Sequence, residues 1–526
     1  MKRTAPLRAL ALGLAVASAA CRPVQRAAPA PGFADATLTI VPAPASIAVG
    51  RGAAFVLGDS TAITVDTPTD TALRIADMLA QIIRPSTRFA VAVRPSGGPT
   101  PRGAITLHLD PARDDLGAEG YALAVTTDSV HLAARTHAGL FHGVQTIRQL
   151  LPSEVESHIG VRPTRGWNIA PVTIVDRPRY AWRGAMLDVA RHFFTVNEVK
   201  QFIDILALYK LNTLHLHLSD DQGWRIEIKS RPRLAAAGGV SAMGGGPGGF
   251  FTQDEYAELV RYAADRFITV IPEIEMPAHS RAMVVAYPEL QCSTSPGARP
   301  DSTFGGICPD SAETYRVLDD VVREVASLTP GPYIHIGADE VSNLSPEKFA
   351  RFVERAQDIV TRHGKRMIGW EEIFRAKLLP TTLVQLWRTD SARAALAYGS
   401  KLILSPAPKV YLDMKYTAGT ELGLDWSGLV DVRTAYDWDP ANYLPGVTDA
   451  DIVGVEAPLW SETVRNITAA EYLAMPRLPA VAEVAWTPRS AQRWEDFRTR
   501  IAAHAPRWRL LGINYYASPQ IPWSSP

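Results

Sequence analysis

Cysteine is scarce in this chain: Cys21, Cys292 and Cys308 are the three among 526 residues, too few for a fold held by a disulfide framework. Excess charge is also missing. Fifty-four Lys and Arg balance fifty-four Asp and Glu, which argues against a nucleic-acid partner, since a polyanion calls for a basic surplus. Long hydrophobic runs are absent too. The apolar stretch Leu7–Ala20 is too short and too early to cross a membrane. The glycine-rich segment Gly238–Gly249 follows no strand and precedes no Lys-Ser/Thr, so it reads as a flexible loop and not as a phosphate cradle. Hydrophobic residues make up 47% of the chain, ample for a large core, and the length suggests two domains.

Met1-Lys2-Arg3 followed by the apolar stretch reads as an export signal over residues 1–20. Ala17-Ser18-Ala19 offers a signal-peptidase site. Ser18-Ala19-Ala20-Cys21 instead resembles a bacterial lipoprotein box, with Ser18 where Leu is usual, and would anchor the protein to a membrane through a lipidated Cys21. Either way the protein is expected outside the cytoplasm: periplasmic, on the outer membrane, or secreted. Cys292 and Cys308 could then bridge a Pro/Gly/Ser-rich loop, contributing on the order of 3 kcal/mol, or remain two reduced buried thiols.

Residues 21–36 form a Pro/Ala-rich linker. Residues 37–175 mix strands such as Ala104–Leu109 and Tyr121–Val125 with helices near Thr71–Ile83 and His137–Leu151, which suggests a small α+β domain. Acidic strand ends and histidine clusters are lacking there, so a structural role is expected. Residues 176–518 change rhythm. Eight strands are predicted, at Gly184–Val189, Thr213–Leu218, Thr269–Glu273, Tyr333–Ile336, Arg366–Gly369, Leu383–Leu386, Lys401–Leu404 and Ile452–Leu459. Amphipathic helices at Val196–Lys210, Gln253–Arg266, Ser311–Leu328 and Pro346–His363 separate the earlier ones. The pattern predicts an α/β fold, a (β/α)8 TIM barrel, preceded by the smaller α+β domain.

The conspicuous polar and aromatic residues fall at the C-terminal ends of these strands, where barrel active sites are built. They are Leu187-Asp188-Val-Ala-Arg191-His192, Ser219-Asp220-Asp221-Gln222-Gly223-Trp224-Arg225, Glu273-Ile-Glu275-Met-Pro-Ala-His279 and His335-Ile-Gly-Ala-Asp339-Glu340. Trp370, Trp387, Tyr411, Asp413, Trp426, Trp460 and Glu462 follow. Carboxylates with aromatic walls suit sugar cleavage.

These segments resemble glycoside hydrolase family 20, the β-N-acetylhexosaminidases, from about Tyr180 to Trp486, and the preceding α+β domain is of the kind that family often carries. The resemblance implies a retaining exo-hydrolase with no cofactor and no metal, acting on terminal non-reducing GlcNAc or GalNAc of oligosaccharides or glycoconjugates. In it the substrate's 2-acetamido oxygen is the nucleophile. It implies Glu340 as general acid/base and Asp339 as the partner of the acetamido N–H. Like charge beside like is expected to raise one pKa and keep one carboxyl protonated. Asp220 and His279 would support Glu340, and Arg191 would grip sugar hydroxyls. Trp370, Trp387 and Trp460 would wall the pocket, Tyr411 would donate to the acetamido oxygen, and Asp413 and Glu462 would bind hydroxyls, with Trp426 at the rim. Ala338 stands where the family has glycine, and Glu275 and Ala278 where it has Asp and Gly.

Two other readings compete. His215-x-His217 places both imidazoles on one strand face, as in metal-dependent barrel hydrolases, with His279 and His335 available to complete a zinc set. A non-catalytic glycan-binding lipoprotein would keep the pocket without turnover.

Overall fold

The computed structural model describes residues 1, 38–96, 102–292, 306–341, 344–388 and 392–523. The export signal, the Cys21 box and the linker expected over residues 1–36 lie, Met1 aside, outside the described residues. Among the described residues, no helix is long and apolar enough to cross a membrane.

The first domain is a seven-stranded mixed sheet. Its spatial order is Ser46–Val49, Val172–Asp176, Tyr121–Val125, Val130–Ala134, Ile105–Leu109, Ala62–Val65 and Ala92–Pro95. Its two helices, Asp70–Thr87 and His137–Leu150, start at Thr69 and Thr136, whose hydroxyls accept from backbone N–H groups of the first turn. Ile75, Ala76, Leu79, Ala80 and Ile83 recur at helical spacing and are buried, so this face of the first helix covers the sheet. Strand Val172–Asp176 alternates buried with exposed residues, as a sheet covered on one side does.

The second part is a closed barrel of eight parallel strands: β1 Trp182–Asp188, β2 Thr213–His217, β3 Thr269–Glu273, β4 Tyr333–His335, β5 Arg366–Trp370, β6 Leu383–Leu386, β7 Lys401–Leu404 and β8 Ile452–Leu459. β8 pairs with β1 and closes the ring. The first four connections carry the predicted helices: α1 Val196–Leu208, α2 Gln253–Ala264, α3 Ala312–Leu328 and α4 Pro346–Arg362. Capping boxes Thr195/Glu198 and Thr252/Glu255 begin α1 and α2. The later units depart from the ideal. β5 and β6 are joined through a short 3-10 turn, Glu371–Arg375, and the β7–β8 connection contains the short helices Ala407–Val410 and Val432–Tyr436 and two 3-10 turns, Pro440–Asn442 and Asp449–Asp451. Such irregular connections leave room at the mouth for Trp387, Tyr411, Asp413 and Trp426.

The glycine-rich segment is not the free loop its composition suggests. The buried Arg225 guanidinium donates to the carbonyls of Val189, Ala190, Gly239, Ser241 and Gly249, and so pins both ends of the segment. Cys292 and Cys308 form a disulfide.

Candidate active site

An apolar plug of Trp182, Ile271, Ile368, Leu383 and Ile403 fills the lower barrel. Above it the interior turns polar, because inward positions on β2, β3, β4 and β8 are His215, His217, Glu273, His335 and Glu456 rather than aliphatics. Glu456 accepts from Trp182 Nε1 (2.9 Å), Gln385 Nε2 (2.9 Å) and His215 Nδ1 (2.7 Å). Glu273 meets His217 Nδ1 at 2.6 Å, His335 Nδ1 at 2.8 Å and Trp370 Nε1 at 2.9 Å. His217 Nε2 then reaches Asp220 Oδ2 at 3.0 Å.

The contacts continue upward into the mouth. Asp220 Oδ2 takes Arg191 Nη2 at 2.9 Å, and its Oδ1 lies 3.4 Å from His279 Nδ1. His279 Nε2 lies 3.5 Å from Glu340 Oε2. A chain of alternating carboxylate and imidazole thus runs from the barrel centre to an acid whose side chain is 53% exposed. Burial alone would lower the imidazole pKa values. The surrounding carboxylates outweigh it and raise His215 to about 9, His217 to about 10 and His279 to about 11.

All the predicted site residues converge here. The Arg191 guanidinium lies 4.8 Å from the centre of the Trp460 ring. Trp460 neighbours Trp370 (ring centres 5.8 Å apart) and Tyr411 (6.4 Å). Trp426 stands edge-on to both Tyr411 and Trp387, at 5.9 Å from each. It is 55% exposed, as a rim residue should be, whereas Trp370 and Tyr411 are buried. Burial raises Asp413, with the charge of Glu462 adding to it, and burial also raises Glu462, with Asp188 adding to it. Among the described residues, four buried carboxylate oxygens lack any hydrogen-bond partner: Asp339 Oδ1, both oxygens of Asp413, and Glu462 Oε2. Stranded buried acceptors are costly unless a ligand supplies donors.

The pKa expected to rise beside its neighbour is not that of Glu340. Hydrogen bonding to His279 lowers Glu340, with the charges of His279, Arg388 and Arg191 adding to it. Burial raises Asp339 instead, with Glu273 and Glu340 contributing. The proton is therefore held by His279, because that imidazole faces two carboxylates at once.

The substitution at position 275 also has a definite consequence. Burial and the charge of Asp339 push the Glu275 carboxyl well above the usual range, so it stays neutral and donates to Asp339. Its extra methylene brings the carboxyl against Gly337, where a Cβ would fall inside it. Gly337 (φ 64°), Ala338 (φ 74°) and Glu340 (φ 52°) all lie in the left-handed region, as does His279 (φ 47°). Backbone strain thus gathers at the acidic pair and its histidine partner. At 338 it explains why glycine is the easier residue.

His215 and His217 do not share one ligand set among the described residues: His215 groups with Glu273 and His335, and His217 with Glu273 and Glu275. His217 faces Glu273 through one ring nitrogen and Asp220 through the other, and His215 faces Glu456 and Glu273 in the same way. Both are held as imidazolium, with no lone pair to offer an ion. His279 sits on Asp220 and is part of neither set.

Comparison with known proteins agrees with this arrangement. A family model described as glycosyl hydrolase family 20, catalytic domain, matches residues 180–489, and family 20 domain 2 matches residues 37–177. The chain belongs to glycosyl hydrolase family 20. This family-20 chain is 41% identical over 502 residues to a β-N-acetylhexosaminidase of Cellulomonas fimi, covering 93% of the chain and 98% of that relative. Among solved structures it is similar to the family-20 β-N-acetylhexosaminidase of Streptomyces coelicolor, at 46% identity with a TM-score of 0.87, covering 95% of this chain and 100% of that one. The Streptomyces plicatus N-acetyl-β-hexosaminidase in complex with Thio-NAglucal matches at the same identity and TM-score, over 94% and 99%. The family-20 hydrolase is accordingly a glycoside hydrolase.

Several residues of this hydrolase site were not assigned from sequence. Asp188, at the end of β1, accepts from the backbone of Ala190, Arg191 and Ser461 and so fastens the β1 and β8 loops together. Glu273 and Glu456 hold the histidines, and Arg388 touches Glu340 at 3.5 Å. Strand-end position was signal enough for Asp188, Glu273 and Arg388; Glu456, inside its strand, carried no such mark.

Proposed function

We propose that this hydrolase removes terminal non-reducing GlcNAc or GalNAc with retention of configuration, using the substrate's own acetamido group as nucleophile. The observation that carries the reading is the set of unpartnered acceptors on Asp339, Asp413 and Glu462 inside a tryptophan-lined pocket. A sugar bearing an amide supplies the matching donors: its N–H to Asp339 and its hydroxyls to Asp413 and Glu462. Trp370, Trp387 and Trp460 exclude water around the acetamido group, and Tyr411 donates to its oxygen. Asp339, kept in place by neutral Glu275, orients the amide so that its oxygen attacks the anomeric carbon. It then balances the positive charge of the cyclic intermediate.

Glu340 protonates the departing oxygen and afterwards takes a proton from the incoming water. Asp220 and His279 set when it holds that proton. A sugar seated in the pocket removes water from Glu340 and favours its neutral form, moving the proton from His279 toward the acid.

The test is release of p-nitrophenol from the N-acetyl-β-D-glucosaminide and galactosaminide, with the plain glucoside as control. Turnover of the acetamido sugars and almost none of the glucoside is the expected result. Equal turnover of all three would remove the internal nucleophile from the mechanism. Turnover that survives a chelator separates this reading from the metal-dependent one, and any turnover separates it from a binding-only protein.

Export is proposed as well, with Cys21 as the lipidated residue. The charged then apolar N-terminus supports it, and the Cys292–Cys308 bridge suits an oxidising compartment. Labelling with radioactive palmitate in the wild type, and its loss in Cys21→Ser, is the expected outcome; equal labelling of both would sink it.

A further inference from the structure

Arg388 lies immediately beyond β6 and has no part in the mechanism above. Its guanidinium stacks on Trp387, 3.7 Å from the ring centre, a geometry that turns its N–H edges outward from the ring face, where an anion can meet them. One of those edges reaches Glu340 Oε1 at 3.5 Å. The other oxygen of Glu340 faces His279 and the buried chain. The acid therefore has an inner side turned to the sugar pocket and an outer side turned to Arg388, which is 55% exposed.

A general acid that protonates the glycosidic oxygen stands between the cleaved sugar and its leaving group. The cleaved sugar occupies the buried pocket, so the leaving residue passes over the outer side, along Arg388. In the productive complex Glu340 is protonated, and Arg388 loses its facing charge. Among the described residues, the carboxyls of Glu371 and Glu372 replace it poorly. Glu371 accepts the Arg388 backbone N–H at 3.1 Å, but burial and Glu372 raise its pKa to about 7, and Glu372 is raised as well.

Resting on the function proposed above, we infer that Arg388 is a specificity-determining residue that selects substrates whose leaving sugar carries a carboxylate. Two kinds of sugar bear one beside a β-linked N-acetylhexosamine: a 3-O-lactyl sugar such as N-acetylmuramic acid, and a hexuronic acid. The recognition chemistry is shared, and the experiment tells them apart.

The experiment measures kcat/KM for GlcNAc-β-1,4-N-acetylmuramic acid against its lactyl methyl ester, and for GlcNAc-β-1,4-glucuronic acid against its methyl ester. Within each pair only the charge differs. A half-exposed, stacked guanidinium is expected to favour the free acid by roughly threefold to tenfold in at least one pair. The pair showing the preference identifies the source. Arg388→Gln should bring that ratio to about one, and Arg388→Lys should keep part of it. If Arg388 merely tuned Glu340, both members of a pair would change together and the ratio would hold. A wild-type ratio of about one in both pairs, or a ratio unchanged in Arg388→Gln, overturns the inference. p-Nitrophenyl N-acetyl-β-D-glucosaminide is run alongside. If it is not hydrolysed the parent reading fails; if it is, and the ratios are flat, only the role of Arg388 fails.

Discussion

The two ends of this barrel bury the same kinds of charged groups and treat them in opposite ways. At the seam between the first domain and the bottom of the barrel, each conspicuous buried charge has a partner across the joint. Lys210 Nζ meets Asp176 Oδ2 at 3.1 Å and Tyr121 OH at 2.9 Å, and Trp486 Nε1 donates to the other oxygen of Asp176 at 2.9 Å. Arg183 forks onto Glu119 at 2.7 and 2.8 Å, and Arg507 pairs with Glu156. At the mouth, Asp339, Asp413 and Glu462 keep acceptors with no partner. Complete pairing fixes the two domains to each other. Incomplete pairing stores affinity for a ligand. Buried charge alone says nothing about function; a cluster of unmet carboxylate acceptors at the strand ends does.

Substitutions at the two ends should therefore separate activity from stability. Glu340→Gln should lower kcat by roughly 10²–10⁴-fold with the melting temperature unchanged, read by steady-state kinetics and calorimetry. At the other end, Asp176→Ala leaves Lys210 buried without its countercharge. It should cost about 3–5 kcal/mol in denaturant unfolding while kcat per folded molecule stays the same. A large kcat loss there, or a large stability loss at Glu340, would erase the distinction.

Gly337→Ala probes the strained link between the two behaviours. A Cβ at that position collides with the Glu275 carboxyl, and the displaced Glu275 releases Asp339. About a 10²-fold loss of kcat is expected, with the pocket otherwise formed, as product affinity measured by titration calorimetry would report.

The interior histidines give a pH signature. His215 and His217 bind protons more tightly folded than unfolded, so their stabilising contribution is complete below about pH 6.5. It is withdrawn as pH rises through about 9 and about 10. Urea unfolding at steps from pH 6 to pH 10.5 should show stability falling across that upper window; a flat profile would mean that the histidines are neutral.

The smallest effect has the opposite sign from most mutations. Asp413→Asn relieves a buried carboxyl without partners and should raise stability by about 1 kcal/mol while kcat/KM falls. At the seam the same Asp-to-Asn exchange, at Asp176, should lower stability.

Some of this was legible along the chain and some was not. Strands β3, β6, β7 and β8 have the bounds their patterning predicts, because a short apolar run between turn residues is a local signal. The mouth carboxylates were legible because strand ends place them there whatever else the fold does. The missing helix after β5 was not, since only packing against neighbours determines whether a weak segment becomes helical. That one carboxyl of the adjacent pair is raised was legible, but not that it is Asp339 rather than Glu340. The actual controller of Glu340, His279, lies sixty-one positions away and is brought close only by the barrel.

By itself the amino-acid order determined which groups exist at the strand ends, hence the chemistry on offer and the family to which the chain belongs. Only the closed barrel decided which of them meet. His215 and Glu456 are 241 residues apart in the chain and 2.7 Å apart in space. Charge states, the neutral Glu275 and the unmet acceptors follow from burial and from such distant contacts. Electrostatic energy depends on separation and solvent access in three dimensions, and neither quantity is written in the spacing of residues along the chain.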